Sequence, residues 1–247
     1  MKSLLKMTWM EAKLFLREPM SAFFTLVFPL IYFFMYGMIS GNEPTPMYGG
    51  QRTIDVAIPS LTAVIICITG LMAITMTMST YRENGILRRL RTTPVSPLVV
   101  LVAQVIVVFT MTALGMLLLV TAGTLVYHVN FEGNAFSMLA GFVLSSLSFF
   151  ALGFVLAGTM PTARSAWIVG MVLMYPMMFL SGAFFTVEIL PATIQKVSAF
   201  MPLTYVVNLL RGLWTGQPWG DHLLDVGVLA GMLVLGIIIS AKTFRWE

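Results

Sequence analysis

Apolar residues in this chain come in long uninterrupted blocks, and charged residues are confined to the gaps between them. Pro19 to Asn42 carries no charge, and neither does Val56 to Tyr81. The run after Thr92 stays uncharged past Tyr127, with its spanning part at Leu98 to Tyr127. Gly133 to Ala163, Ser165 to Val187 and the shorter Val226 to Ala241 complete the series. About 20 apolar residues cross a bilayer as a helix, so the pattern predicts six transmembrane helices. Membrane-barrel strands alternate over about ten residues, whereas these blocks are continuous, so the predicted fold is an all-α polytopic membrane protein. Asp225 and Lys242 flank the sixth span and fall near its interfaces, where a lysine can snorkel.

Two stretches are apolar in part but too interrupted to span. Residues 2–18 read as a helix. At about 100° per residue, Lys2, Lys6, Lys13 and Arg17 share a stripe about 60° wide. Leu4, Leu5, Ala12, Phe15 and Leu16 form a broad apolar face beside it, with Glu11 and Glu18 on the far border. This predicts an interfacial helix over 1–18, its basic stripe toward anionic headgroups or an acidic partner. The plainer alternative is a flank that only sets orientation. Arg17-Glu18-Pro19 ends it. The second stretch, 183–220, is too apolar for an outer loop, is broken by Pro191 and Pro202, and contains pieces such as Val197 to Leu210 that are too short to cross. It predicts a re-entrant outer segment between spans five and six, with Glu188, Lys196 and Arg211 near the outer surface.

Composition agrees: 58% of residues are apolar and 10% charged, against about a quarter charged in soluble domains. The length of 247 residues holds one membrane domain and no second globular one. Six spans put both termini on one side, and that side would hold all but three of the 14 Lys and Arg residues, namely Arg52, Lys196 and Arg211. The asymmetry predicts cytosolic termini. Trp9, Trp167, Trp214, Trp219 and Trp246 all fall near expected interfaces, where amphipathic rings sit. The first 18 residues lack the form of a secretory signal, which points to a prokaryotic plasma membrane.

Catalytic chemistry is missing from the pattern. The lone Cys67 lies in an apolar run and reads as a small core filler, and His128 and His222 fall in outer loops. No span carries an ionisable residue of the kind a proton- or sodium-coupled carrier uses. No G-x-x-x-x-G-K-[ST] phosphate loop is present, so this chain binds no nucleotide by that route. Gly37-x-x-x-Gly41 and Gly227-x-x-x-Gly231 permit close helix packing.

Charge concentrates instead at 81–97. If 81–91 continues as a helix, Ile86, Leu87 and Leu90 share one face with Glu83 at its centre, and Arg82, Arg88, Arg89 and Arg91 surround it. Two readings stay open: an ordinary positive-inside loop, or a short helix that inserts into a partner's cleft and pairs its acid with a base there. Thr92-Thr93-Pro94 ends the segment, and Ser96-Pro97 reads as the cap and first position of span three. A nucleic-acid patch is disfavoured, because these charges lie against a membrane.

The order Glu83-Asn84-Gly85-Ile86-Leu87-Arg88-Arg89-Leu90-Arg91-Thr92-Thr93-Pro94-Val95-Ser96-Pro97 resembles the cytosolic loop of type-2 ABC exporter permeases. Leu180-Ser181-Gly182-Ala183-Phe184-Phe185, Leu190-Pro191, Met201-Pro202-Leu203-Thr204-Tyr205 and Arg211 are similar to that family too. The resemblance covers essentially the whole chain, 1–247, as a single transmembrane domain. One departure is Thr186, where many members carry proline, which bears on how the re-entrant segment begins.

The resemblance implies an exporter subunit that is not itself an enzyme. It would pair with a second copy or a paralogous permease. Two separate ABC ATPase subunits would dock beneath, and ATP and magnesium would be bound there rather than by this chain. Glu83, Gly85, Ile86, Leu87, Arg88, Arg89, Leu90, Arg91 and Pro94 would form the coupling element. The interfacial helix with Lys2, Lys6, Lys13 and Arg17 would flank the ATPase. Spans two and five would meet at the dimer centre, making Thr69, Met72, Thr75, Met76, Met171, Met174, Tyr175 and Met178 candidates for the cargo path. Simple packing is their alternative role. Phe184, Phe185, Glu188 and Arg211 are candidates for an outer gate. Methionine is soft and adaptable, which favours a hydrophobic or amphipathic small molecule, drug- or antibiotic-like, over a polysaccharide or lipid cargo. A secondary carrier and a non-transporting membrane scaffold are the rival classes.

Overall fold

The structure, a computed structural model, describes residues 2–40, 51–86, 89, 97–184, 187 and 191–243. Every regular element among them is helical. Helix α1 spans Lys2–Arg17. Six helices are long and apolar enough to cross a membrane: α2 (Pro19–Ile39), α3 (Thr53–Glu83), α4 (Leu98–Tyr127), α5 (Ala135–Thr159), α6 (Ala163–Leu180) and α9 (Trp219–Thr243). Two short helices, α7 (Ala192–Ser198) and α8 (Pro202–Trp214), lie between α6 and α9.

Local sequence explains the boundaries. Pro19 opens α2 in its first turn, where a missing N–H is tolerated. The fourth helix likewise begins at Pro97; Ser96, expected as its cap, lies outside the described residues. Helix α5 stops at Thr159, earlier than the apolar block, because Pro161 cannot extend the ladder. Thr162 then caps α6. Its hydroxyl accepts from the Ser165 N–H at 3.2 Å, and the Ser165 hydroxyl accepts from the Thr162 N–H at 3.2 Å, a reciprocal box that fixes the start of a helix.

Helix α3 is the axis of the chain. It packs against α2, α4, α5, α6 and α8, and every residue from Val56 to Leu71 is buried. With lipid as solvent, burial alone drives no helices together, so close backbone approach and hydrogen bonds carry the packing. At its midpoint α3 widens into a π-helical turn, Thr69–Ile74. A Cβ on Gly153 of α5 would collide with the Gly70 carbonyl, and one on Gly170 of α6 would stand 3.0 Å from the Leu71 carbonyl. The spacings expected to mark close packing behave differently. A Cβ on Gly37 would meet the Tyr127 ring, Gly227 and Gly231 face open space, and Gly41 lies outside the described residues. Glycine pairs at helix spacing mark a flat face. They do not say whether this chain covers it.

Helix α1 lies against α4. Its inward line is Met7, Glu11 and Phe15, while Leu5 and Leu16 are exposed. Glu11, expected on the border of the apolar face, is 3% exposed. Helix α8, 13 residues long and so about 20 Å, cannot cross a bilayer. It buries Leu203, Val206, Val207, Leu210 and Leu213 against α3, α5 and α9. Trp214 belongs to this core at 3% exposure, edge-on to Phe131 at 4.8 Å. It is therefore not the lipid-facing interfacial ring its position suggests. Trp246 lies outside the described residues.

Candidate functional site

The lower end of α3 does not run on as one helix. It ends at Glu83, and Gly85 takes a left-handed φ of 65°. The Asn84 N–H bonds to the Thr80 carbonyl and the Gly85 N–H to the Arg82 carbonyl, both at 3.0 Å. These are the terminal bonds of a glycine stop. The Arg89 N–H then reaches the Gly85 carbonyl at 3.1 Å, starting a new turn. The helix supposed to continue over 81–91 is therefore interrupted at Gly85. Nothing lies within 4 Å of a Cβ on Gly85, so Gly85→Ala costs only backbone strain, about 1 kcal/mol. Thermal unfolding should show that loss for Gly85→Ala and a smaller one for Gly85→Asn.

The two charges before the hinge are already engaged. The Glu83 carboxylate accepts the Ala163 N–H at 2.8 Å, at the exposed N-terminus of α6. Arg82 donates from Nη1 to the Gly158 carbonyl at 3.2 Å, at the C-terminal end of α5. An acid at a helix N-terminus and a base at a C-terminus both match the helix dipole. The acid that one of the two readings pairs with a partner's base bonds here to α6 of its own chain. Arg82 and Glu83 together fasten the base of α3 to the turn between α5 and α6. Of the other coupling candidates, Ile86 packs beneath α3 beside Met78 and Tyr81, and Arg89 is exposed. Leu87, Arg88, Leu90, Arg91 and Pro94 lie outside the described residues.

Above this base a cavity of about 270 Å³ opens between α2, α3 and α6. Its lining includes Met72 and Met76 from α3 with Met171, Met174 and Tyr175 from α6, so five of the eight path candidates meet there. Both π-helical turns nearby contribute: Phe24 and Thr25 from Phe23–Val27, and Met72 and Ala73 from Thr69–Ile74. Such turns recur at functional sites because they expose irregular backbone. Thr25 Oγ1 is buried with no hydrogen-bond partner. The other three candidates are not in the lining. Thr69 is fully buried, donates to the Ile65 carbonyl at 2.9 Å and accepts from Thr112 at 3.1 Å. Thr75 bonds to the Gly153 carbonyl at 3.2 Å. Met178 is 4% exposed in the core.

A second cleft, about 360 Å³, lies where α1 meets α3 and α4. Tyr81 donates its hydroxyl to Glu11, 2.9 Å from each carboxylate oxygen. Gln104 of α4 also lines this cleft, and its Oε1 is buried without a partner. Burial pushes the Glu11 carboxyl above its usual range, and the Tyr81 hydrogen bond only partly opposes this. The folded protein thus holds this proton more tightly than the unfolded chain. Stability is full below the unfolded carboxylate range and falls as pH climbs through the raised folded value. Melting curves from about pH 4 to 7 should show that slope in wild type and a flatter one in Glu11→Gln. Lys6 and Lys13 are exposed on the opposite side, with the Lys13 ammonium 5.1 Å from the Trp9 ring centre. Arg17 stands at the cleft rim, and the Lys2 side chain lies outside the described residues.

At the opposite end, Arg211 of α8 donates from Nε to Ser60 of α3 at 2.7 Å and from Nη2 to the Gly182 carbonyl at 2.6 Å. It braces the segment after α6. Phe184 is buried and tilted against Tyr32 with ring centres 4.6 Å apart, and the Tyr36 hydroxyl donates to its carbonyl at 3.3 Å. Phe185 and Glu188, with Thr186, lie outside the described residues. Along α2 a ladder of rings climbs from the cavity: Phe24 to Phe28 at 5.5 Å, Phe28 to Tyr32 at 6.4 Å and Tyr32 to Tyr36 at 5.8 Å. This was unexpected. The four-residue spacing of those rings was the available signal. His222, expected in an outer loop, is buried in a 3-10 turn and bonds to Asp225 and Gln217, each at 2.9 Å.

Sequence comparison meets this geometry. The family model for the ABC-2 type transporter matches residues 2–214. Nodulation protein J of Rhizobium leguminosarum bv. viciae is 33% identical over 102 residues, 41% of this chain and 39% of that protein. Nodulation protein J of Rhizobium leguminosarum bv. trifolii is 31% identical over the same shares. The "Probable multidrug ABC transporter permease YbhR" of Escherichia coli (strain K12) is 22% identical over 157 residues, 64% of this chain and 43% of that one. These matches span about two fifths of the relatives' own lengths. The family match runs unbroken from α1, through α3 and its hinge, to the end of α8, and the chain is a multi-pass membrane protein of the ABC-2 type transporter family.

Proposed function

We propose that this chain is the permease subunit of an ATP-driven exporter, moving a hydrophobic or amphipathic small molecule. Family membership implies an ABC ATPase partner. One observation carries the reading: Arg82 and Glu83 fasten the base of α3 to α5 and α6, and α3 and α6 supply the methionine walls of the cavity. A push on the segment after Gly85 therefore moves both walls together. The ATPase docks on that segment, with ATP and magnesium on the ATPase, and both termini lie in the cytosol, on the side that holds most of the Lys and Arg. The chain works in a prokaryotic plasma membrane, with α7 and α8 as the re-entrant outer segment. A second permease, identical or paralogous, covers α6, whose Ile168, Val172, Tyr175 and Phe179 are exposed at helical spacing. Helix α3 is sheathed by its own chain, so α6 supplies most of that contact.

Met171→Trp tests the path. The bulkier indole narrows a cavity of about 270 Å³. In reconstituted permease with its ATPase, the part of ATP hydrolysis stimulated by lipophilic dyes should fall about tenfold, as a loss of about 1.4 kcal/mol of binding does. Stimulation at the wild-type level would remove the cavity from the path. The ring ladder on α2 favours a second cargo reading, a saccharide-bearing amphiphile, because sugar rings stack on aromatic faces. In that case Tyr32→Ala, rather than Met171→Trp, should abolish stimulation.

A further inference from the structure

The cleft between α1, α3 and α4 adjoins the methionine-walled cavity, with Glu18 and Met76 lining both, but differs from it in its buried acceptors. Its deep wall presents acceptors. Glu11 is 3% exposed, and its carboxylate has lone pairs left after receiving the single Tyr81 proton. Gln104 is 2% exposed, and its Oε1 has no partner. An amide oxygen buried on helix α4 without a donor is costly, and Gln104 is one of the residues that line the cleft. Glu18 adds a third acceptor at the rim, and Leu14, Phe15 and Met76 supply apolar walls. Helix α1 itself is amphipathic, with Leu5 and Leu16 exposed.

We infer that this cleft binds the primary ammonium head of an amphiphile, with its hydrocarbon chain lying along α1. An –NH₃⁺ group has three donors and no acceptor, and Glu11, Gln104 and Glu18 offer three acceptors of matching sense. A charged donor makes stronger hydrogen bonds than a neutral one. It also returns the buried Glu11 to its ionised form, which burial otherwise opposes. A quaternary ammonium has the same charge and no N–H, so the cleft discriminates against it. Arg17 at the mouth is available for a phosphate, as in an aminophospholipid headgroup. The inference stands on the cleft alone and holds whether or not the exporter reading does.

The test uses the full chain in lipid nanodiscs, with dodecylamine and dodecyltrimethylammonium as probes in equilibrium dialysis. Dodecylamine should bind one saturable site at least about tenfold more tightly than the quaternary probe. Gln104→Leu and Glu11→Gln should each erase most of that preference, and Gln104→Glu should strengthen it. The last variant guards against misfolding, since a gain of affinity needs a folded site. Equal affinity for the two probes, or a preference unchanged in all three variants, overturns the inference. Nanodisc composition identifies the natural source. Weaker dodecylamine binding in phosphatidylethanolamine than in phosphatidylcholine points to a resident aminophospholipid. Equal binding in the two points to a free amine.

Discussion

Glu83→Arg should uncouple ATP hydrolysis from the membrane domain. Wild-type Glu83 accepts the Ala163 N–H at 2.8 Å, at a helix end whose partial charge is positive. Losing that acceptor removes a capping interaction of about 1 kcal/mol, and placing a cation there adds about 0.3–1 kcal/mol of repulsion. Together these approach the 1.4 kcal/mol that changes an equilibrium about tenfold. The expected result is a permease that still binds its ATPase but stimulates hydrolysis about tenfold less. Glu83→Gln, which keeps an acceptor, should show a milder loss, and Arg82→Gln should resemble it by freeing the end of α5. If Glu83→Arg hydrolyses and transports at wild-type ratio, the fastening of α3 to α6 has no mechanical role.

Gly153→Leu should be the most destabilising single change in the membrane interior. A Cβ there already overlaps the Gly70 carbonyl, and the Gly153 carbonyl itself accepts the Thr75 hydroxyl at 3.2 Å. A larger side chain forces α5 away from α3, breaks that bond and opens the π-helical turn. Overpacking of this kind costs about 3 kcal/mol or more where backbone cannot yield. Gly227→Leu is the internal control. A Cβ at Gly227 meets nothing within 4 Å, so its melting temperature should stay near wild type. Gel filtration and thermal unfolding in detergent read both. A Gly153→Leu chain as stable as Gly227→Leu would mean that α3 and α5 do not pack as described.

The six spans were legible because apolar block length is a crude, strong signal. The proline-set starts of α2 and of the fourth helix were legible because Pro allows few positions in a helix. Partner choice was harder to read. Periodicity placed Glu11 beside an apolar face but could not show that Tyr81, 70 residues away, would turn toward it. Glu83 stands out in the sequence as an acid on an apolar face, and within the chain its carboxylate accepts the Ala163 N–H. An acid at a span's end can be satisfied by another helix's backbone, and a backbone N–H leaves no mark in sequence. Thr69 and Thr75, candidates for the path with packing as their alternative role, donate their hydroxyls to neighbouring carbonyls. Met72, Met76, Met171 and Met174 line one cavity. Their side chains mark the adaptable surface directly, whereas a hydroxyl's role depends on what stands opposite it.

The central claim is that the segment beyond Gly85 receives an ATPase and passes its motion to α3 and α6. The most direct measurement is affinity purification of the tagged chain from its own membranes, followed by ATP hydrolysis by whatever co-elutes, for wild type and Glu83→Arg. An ATP-binding subunit that co-elutes with both, active with wild type and about tenfold less active with Glu83→Arg, is the predicted result. A stable chain that elutes with no ATP-hydrolysing partner would contradict the account and return the charge at 81–97 to a purely topological role.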